Sequence, residues 1–550
     1  AWWPSWLYRS RVRFGGVGVS SLGVSRGFRV SFAAITVVFG AWPGGGTPPV
    51  SSAQTGAGGK TAYGGTVTFV LENDVVDFDP LRSRAFVDRN AHYQIFDSLV
   101  RVDAAGKLIP WLALSWETSS DGKQVTFKLR QDVKYHDGTP FDAESVKWNI
   151  DRYRTTQGSQ RASDLAPVAA VEVKDPYTVS FNLKSPYAPL LATLVDRAGM
   201  MLSRKAVEAG GADFTRKPVG AGSGPFKFVE ALKDDHITLE RNADWWGKDK
   251  DGNKLPYLDK IIIKPIRDDS VRTTNVRTGD AQVANNIPGK DVEGLKVETA
   301  LTYQQAPNYG FDSIIPNRKK GFVFEDARLV RALSMAIDRK EISDKVFFGV
   351  RTPGYGTIAP SHFAYDPNFK PFEKPDPAGA KKLVAEVGRG PLSFEMLVTA
   401  GTSVDLQLAL LIQAQLGKAD IKMEVKTLEF AEILKLQDAC TYTGATLIGW
   451  SGRVDPDGNT YSHIFTGAPN NNSCYSNAQV DKLLDESRST SDEAKRKTAF
   501  RAAEQIYVVD DPARAWYAFR NSQLLTAKKL KGLVPYPDGL IRFDVGWLEK

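Results

Sequence analysis

The order of secondary-structure signals along this chain predicts a two-lobed α/β protein whose strands cross from one lobe to the other. Three observations carry that expectation. At 550 residues the chain is too long for a single core, so two or three domains are needed. Strands and hairpins dominate its first part, and βαβ units follow from about 310 to 515 before a short strand-forming return. Hydrophobic content of 42% beside 25% charged residues is that of an ordinary globular chain.

Residues 1–60 stand apart. They hold Arg9, Arg11, Arg13, Arg26, Arg29 and Lys60 but no acid, the first being Glu72, so the formal +7 falls to +1 without these six. A nearly neutral body argues against a nucleic-acid surface. Arg26 and Arg29 precede the apolar run 30–41 (VSFAAITVVFGA), which is too short to span a bilayer, and Ser51-Ser52-Ala53 offers small residues for cleavage. That is the layout of a secretory signal peptide, with a single membrane anchor as the alternative. Residues 1–23 have neither signal nor domain character, so translation is expected to begin near Val24, and no Cys closes the leader for a lipid anchor. The two cysteines, Cys440 and Cys474, fall in one expected domain. In an oxidising compartment they are candidates for a disulfide, and two free thiols are the alternative. Five scattered histidines lack metal-ligand spacing, so no metal or other cofactor is expected.

Thr66–Leu71 (TVTFVL) reads as a strand, 72–80 as a loop leaving its C-terminal end, and 92–101 as a short helix with Ile95, Phe96 and Leu99 inward. From Leu112 to Lys147 four local signals follow in order. Ser119-Ser120-Asp121-Gly122 turns the chain, and Val125, Phe127 and Leu129 alternate with polar residues as a half-buried strand. Tyr135–Pro140 turns it again, and Asp142 caps a helix whose apolar face begins with Val146 and Ile150. Residues 175–183 form a turn and strand, and 186–201 resemble a helix begun by prolines. The run 220–228 (GAGSGPFKF) lacks the Gly-Lys-Ser/Thr ending of a phosphate loop and Pro225 removes an N–H, so it reads as a turn entering a strand at 226–229. Strands at 237–241 and 260–267 flank a loop with Trp245 and Trp246. Residues 326–348 carry Val330, Leu333, Ile337 and Ile342 near helical spacing. Strands at 394–399 and 421–427 enclose a helix at 406–416, a βαβ unit. Helices at 429–436 and 479–487 and a buried strand at 446–450 follow, and 516–520 returns the chain to the first lobe.

The block LALSWE…DGK…FKLRQDVKYHDGTPFDAESVKW, from Leu112 to Trp148, resembles the signature of the periplasmic solute-binding proteins serving dipeptide, oligopeptide and nickel ABC importers, bacterial extracellular solute-binding protein family 5. The turn Gly222-Ser223-Gly224-Pro225-Phe226 is similar to a Gly-x-Gly-Pro-Phe/Tyr turn in that family. The resemblance implies a bilobal Venus-flytrap fold with an extra inserted domain and crossover strands. It places a first lobe at 61–101, 218–309 and 516–550, an inserted domain at 102–217, and a second lobe at 310–515. It also implies a monomeric periplasmic protein that captures a peptide-like or other small organic solute between its lobes and delivers it to an inner-membrane ABC permease.

Binding residues in such a fold sit on strand-end loops facing the cleft. Trp450, Ser451, Gly452, Arg453 and Asp455 follow a buried strand and are the sharpest candidates. In peptide-binding relatives the matching loop looks like Trp-Thr/Cys-x-Asp, with the Asp taking the peptide's α-amino group. Arg453 stands at that Asp here, and a guanidinium prefers carboxylate or phosphate, so a ligand with an acidic group is expected. The alternative is that Arg453 pairs with Asp455 or Asp457. Glu72 and Asn73 after the first strand, Thr399, Gly401 and Thr402 after another, and Tyr309 near the crossover complete the set. Asn470-Asn471-Asn472-Ser473 matches a glycosylation sequon and reads as a polar loop. No GxSxG, HExxH or Cys/His arrangement appears, and the carboxylate pairs Asp234-Asp235, Asp268-Asp269 and Asp510-Asp511 read as solvated charge, so no catalysis is expected. A periplasmic hydrolase, or a binding protein feeding a sensor, are the competing readings.

Overall fold

The structure, a computed structural model, describes residues 62–550. The expected signal peptide, its cleavage site at Ser51-Ser52-Ala53 and the start near Val24 lie outside the described residues.

The chain enters on Thr66–Leu71 (β1), whose Val67, Phe69, Val70 and Leu71 are wholly buried. The next helix is Phe86–Ile95, earlier than the expected 92–101. Asp88, Arg89, Asn90, His92 and Gln94 on it are all buried beside its apolar residues, so it shows no amphipathic period from which to read it. A four-stranded antiparallel sheet follows, built from Ala113–Thr118 (β2), Gln124–Leu129 (β3), Val168–Asp175 (β4) and Thr178–Leu183 (β5) in the order β2-β3-β5-β4. Helix Ala143–Thr155 packs on it, and its N-cap Asp142 accepts the Ser145 N–H at 2.8 Å. The Leu112–Lys147 signature therefore builds two of this sheet's four strands and the start of its helix. Residues 186–201 hold only one turn, Leu190–Thr193, and a 3-10 turn, Arg197–Gly199. The helix stops at its C-cap Leu194, and Asp196, extended, caps the 3-10 turn by accepting the Arg197 N–H at 2.7 Å.

The main sheet adds Phe226–Leu232 (β6), His236–Arg241 (β7), Lys260–Pro265 (β8), Val283–Ala284 (β9), Leu301–Pro316 (β10), Ser393–Thr399 (β11), Lys422–Leu428 (β12), Ala445–Leu447 (β13) and Ala515–Ala527 (β14). Its order is β12-β11-β13-β10-β14-β9-β1-β8-β7-β6, with Thr352–Pro353 as an eleventh strand on β14. β10 and β14 pair antiparallel from Leu301 opposite Ala527 to Ile314 opposite Ala515. Leu301 and Leu525 pack with Val70 in one core, whereas Ile314, Ala515 and Tyr517 pack with the β11–β13 core, so both strands run from lobe to lobe. Trp516 and Phe519 pack with Ile358, Tyr475 and Phe500 in a further core.

β11 and β12 are parallel and joined by helix Ser403–Gly417, the expected βαβ unit. The helical stretch 326–348 divides into Ala327–Ala336 and Arg339–Lys345. Ile337 is extended there, and Asp338 caps the second helix by accepting the Glu341 N–H at 2.8 Å. Cys440 and Cys474 form a disulfide that ties the end of helix Phe430–Ala439 to the 470–474 loop. Among the described residues, no helix is long and apolar enough to cross a membrane.

Candidate functional site: the cleft between the lobes

Where β10 and β14 cross, a cavity of about 200 Å³ opens between the lobes. Its floor is Asp312, 1% exposed on β10, which accepts from Arg351 Nη1 at 2.8 Å and Arg520 Nε at 2.7 Å. Burial pushes the Asp312 carboxyl up, but Arg351 and Arg520 outweigh it and hold it below the usual carboxylate range. This carboxylate is fully engaged with the protein.

Part of the lining is basic: Arg84, Arg453 and Arg514 lie around the His463 ring, and Arg89 joins them on the wall. Burial, together with the guanidiniums of Arg514, Arg453 and Arg84, keeps that ring neutral. Two carboxylates just behind the lining answer three of these four cations. Asp196 accepts from Arg89 Nε at 3.2 Å and forms an ion pair with Arg453, whose Nε lies 2.9 Å from Oδ2, joining the two lobes. Burial raises its pKa, yet Arg453, Arg89, Arg197 and Arg161 together hold it far below the usual value. Asp438, beside the disulfide, pairs with Arg84, which also donates to Asn472 Oδ1 at 3.1 Å. Arg514 meets no carboxylate among the described residues. It donates to the Asn470 carbonyl at 3.1 Å, its Nε is buried without a partner, and burial lowers its pKa to about 10.

The 450–453 loop is built from within. Trp450 exchanges backbone hydrogen bonds with Phe311 at 2.8 and 3.1 Å. The side chain of Asn459 accepts from Trp450 Nε1 at 3.0 Å and from the Arg453 N–H at 2.9 Å, and donates to the carbonyls of Tyr309 and Thr357. His362 accepts the Ala359 N–H at Nδ1, so its Nε2 carries the proton donated to the Arg453 carbonyl at 2.9 Å. Arg453 itself lies over the Trp450 ring at 4.2 Å.

The structure brings Trp450, Ser451, Arg453, Glu72, Asn73, Thr399 and Thr402 to the cavity wall. Ser451 is already engaged, accepting from Arg89 Nη1 at 2.9 Å. Five expectations change. Arg453 pairs with Asp196, not with Asp455 or Asp457, whose carboxylates are taken by Arg496 and Arg488 at 2.7–2.9 Å. Asp455 caps helix Pro456–Ile464 and faces away from the main cavity. Gly452, at φ +84°, leaves no room for a Cβ because the backbone of Tyr309 and Gly310 packs against it, so its close approach is to protein. Tyr309 stacks on His362 at 4.8 Å, outside the lining, and Gly401, at φ +84°, lies against Arg267.

Sequence reasoning missed Arg84, Arg89, Asp196, Arg514 and Asp405, and it read Asp268-Asp269 as solvated. Asp269 is 2% exposed and lines the cavity with Glu72 and Asp405. A usable signal existed for two of them. Asp269 and Asp405 each follow the C-terminal end of a parallel strand by a few residues, where open α/β sheets bind ligands. The polar 470–473 loop was read as loop alone, yet Asn470 and Asn472 hold Arg84.

The sequence model for bacterial extracellular solute-binding proteins, family 5 (middle), matches residues 107–473. The glutathione-binding protein GsiB of Pectobacterium atrosepticum is 29% identical over 482 residues, covering 85% of this chain and 91% of that protein. Its Escherichia coli K12 counterpart is 28% identical, covering 87% and 93%. Among solved structures, the periplasmic binding protein DppA of Helicobacter pylori with peptide STSA superposes with a TM-score of 0.80 at 24% identity, covering 89% of this chain and 99% of that one. The Escherichia coli murein tripeptide binding protein MppA gives 0.81 at 20% identity, covering 89% and 99%. These structural likenesses establish the fold as bilobal.

Proposed function

The chain belongs to the bacterial extracellular solute-binding proteins, family 5, the substrate-binding components of ABC importers, and on that premise we propose that its solute is peptide-like and carries an anionic group held at the basic part of the cleft lining. The observation that carries this reading is Arg514, a guanidinium on the cavity wall that meets no carboxylate among the described residues. A buried cation without a counter-charge is costly, and a ligand carboxylate beside Arg514 and Arg84 removes that cost. The acidic group expected from the sequence is thus kept, but moved from Arg453, which Asp196 neutralises, to its neighbours. Relatives named for glutathione, a tripeptide with two carboxylates, support the same chemistry.

The protein is exported to the periplasm on the leader read at residues 26–53, acts as a monomer, and returns its solute chemically unchanged. Residues 61–101, 218–309 and 516–550 form the lobe that carries the inserted domain 102–217, and 310–515 the other. The test is calorimetric titration with glutathione and with glutathione diamide. We expect the diacid to bind with Kd at micromolar or below, and the diamide at least ~10-fold more weakly, as loss of a charged hydrogen-bond partner implies. Equal affinity for the two overturns the reading.

A further inference from the structure

The cleft lining also holds acids, Glu72, Asp269 and Asp405, and none of these carboxylates forms an ion pair with arginine among the described residues. Glu72 follows β1 and Asp269 follows β8, two parallel strands in register from Thr66 opposite Lys260 to Leu71 opposite Pro265. Both residues therefore leave the same sheet edge. Asp405 follows β11 of the other lobe, and Ser403, two residues earlier, donates to Asp269 Oδ1 at 2.6 Å, which holds the lobes together at this point. All three line the cavity.

Most buried carboxylates in this protein are paired with arginine: Asp312 with Arg351 and Arg520, Asp457 with Arg488, Asp538 with Arg542. These three are not. Asp269, 2% exposed, has Oδ2 buried with no hydrogen-bond partner, and Glu72 Oε2 is buried and equally unpartnered. Asp405 makes no ion pair among the described residues, and burial raises its pKa to about 6. Arg272 lies nearby, yet its guanidinium donates to the carbonyls of Ile266, Arg267 and Asn286 and leaves its own Nε unpartnered. Open carboxylate oxygens facing one cavity ask for a cation with several donors. No group of acids among the described residues converges closely enough for a metal ion.

We propose that Glu72, Asp269 and Asp405 form the subsite for the ligand's ammonium group. The amine is then held by both lobes at the strand ends, and an ammonium's three N–H donors match the open oxygens. The inference rests on the peptide-like reading above, and it explains how the chain manages with Arg453 where its peptide-binding relatives carry the amine-binding acid.

The experiment titrates the full chain, and its E72Q and D405N variants, with glutathione and with N-acetylglutathione, which keeps both carboxylates but has no ammonium. We expect wild type to bind glutathione at least 30-fold more tightly than the acetylated form. Each variant should lose 10-fold or more for glutathione and less than 3-fold for N-acetylglutathione. Equal binding of the two by wild type, or variants that lose both alike, overturns the ammonium subsite while the anion reading stands. Binding of neither by wild type overturns the peptide-like reading and the subsite with it.

Discussion

Replacing Asp196 by Asn, alone and together with Arg453→Met, tests the link between the lobes. Asp196 is 8% exposed in its side chain and Arg453 15%, with 2.9 Å between Oδ2 and Nε. Two unit charges about 4 Å apart interact by about 4 kcal/mol at an effective dielectric of 20. Removing one partner of a buried pair costs about 3–5 kcal/mol, because the other charge stays behind uncompensated. D196N strands both Arg89 and Arg453, with Arg197 alongside, so it belongs at the upper end. R453M leaves Asp196 still held by Arg89 and keeps much of the side-chain stem over Trp450, so about 2 kcal/mol is expected. The double variant should be less damaged than the sum of the two by about 2 kcal/mol. Urea unfolding at pH 7, with midpoint and slope fitted for all four proteins, gives this coupling. The sign with pH follows from the depressed native pKa of Asp196: its stabilisation is complete above the unfolded carboxylate value and is lost only as pH falls below it. D196N and wild type should therefore keep a constant gap from pH 7 to about 5 and converge below about 4. Additivity within about 0.5 kcal/mol, or a gap that closes near neutrality, would refute the latch.

Other consequences are as direct. The Cys440–Cys474 bond closes a separation of 34 residues, so C440S/C474S should lose about 3–4 kcal/mol by the loop-entropy relation, read from urea midpoints. The same variant should weaken ligand binding, since the bond fixes Asp438 and Asn472, both partners of Arg84. Glu504, buried against Gly356, has its pKa raised by burial to about 8. A native pKa above the unfolded one means stability present at low pH and lost as pH rises through 8, so E504Q should gain on wild type steadily between about pH 5 and 8. A pH-independent difference between the two in urea unfolding would contradict this.

Much of the fold was legible because its signals are local. The β11–helix–β12 unit, the turn before β6 and the Asp142 cap each depend on residues within a short window. Helix Phe86–Ile95 was misplaced because its buried polar side chains erase the amphipathic period, and in residues 186–201 the helix that the apolar spacing suggests stops at Leu194, before Asp196 starts a separate turn. The site divides the same way. Glu72, Thr399 and Thr402 were readable as strand ends, whereas Asp196, Arg84 and Arg514 reach the cleft from segments that lie far apart in sequence. Arg453 was singled out correctly as a departure, but its partner sits 257 positions upstream, so local reasoning offered only Asp455 and Asp457.

The central claim is that a solute's anionic group sits at Arg514 in the cleft. Native mass spectrometry of the protein purified without denaturant, compared with R514M prepared identically, tests it most directly. The account predicts that wild type carries an added mass that acid unfolding releases as a small molecule bearing at least one carboxylate, and that R514M, equally folded, carries little or none. An adduct without an acidic group, or one retained in full by R514M, would contradict it.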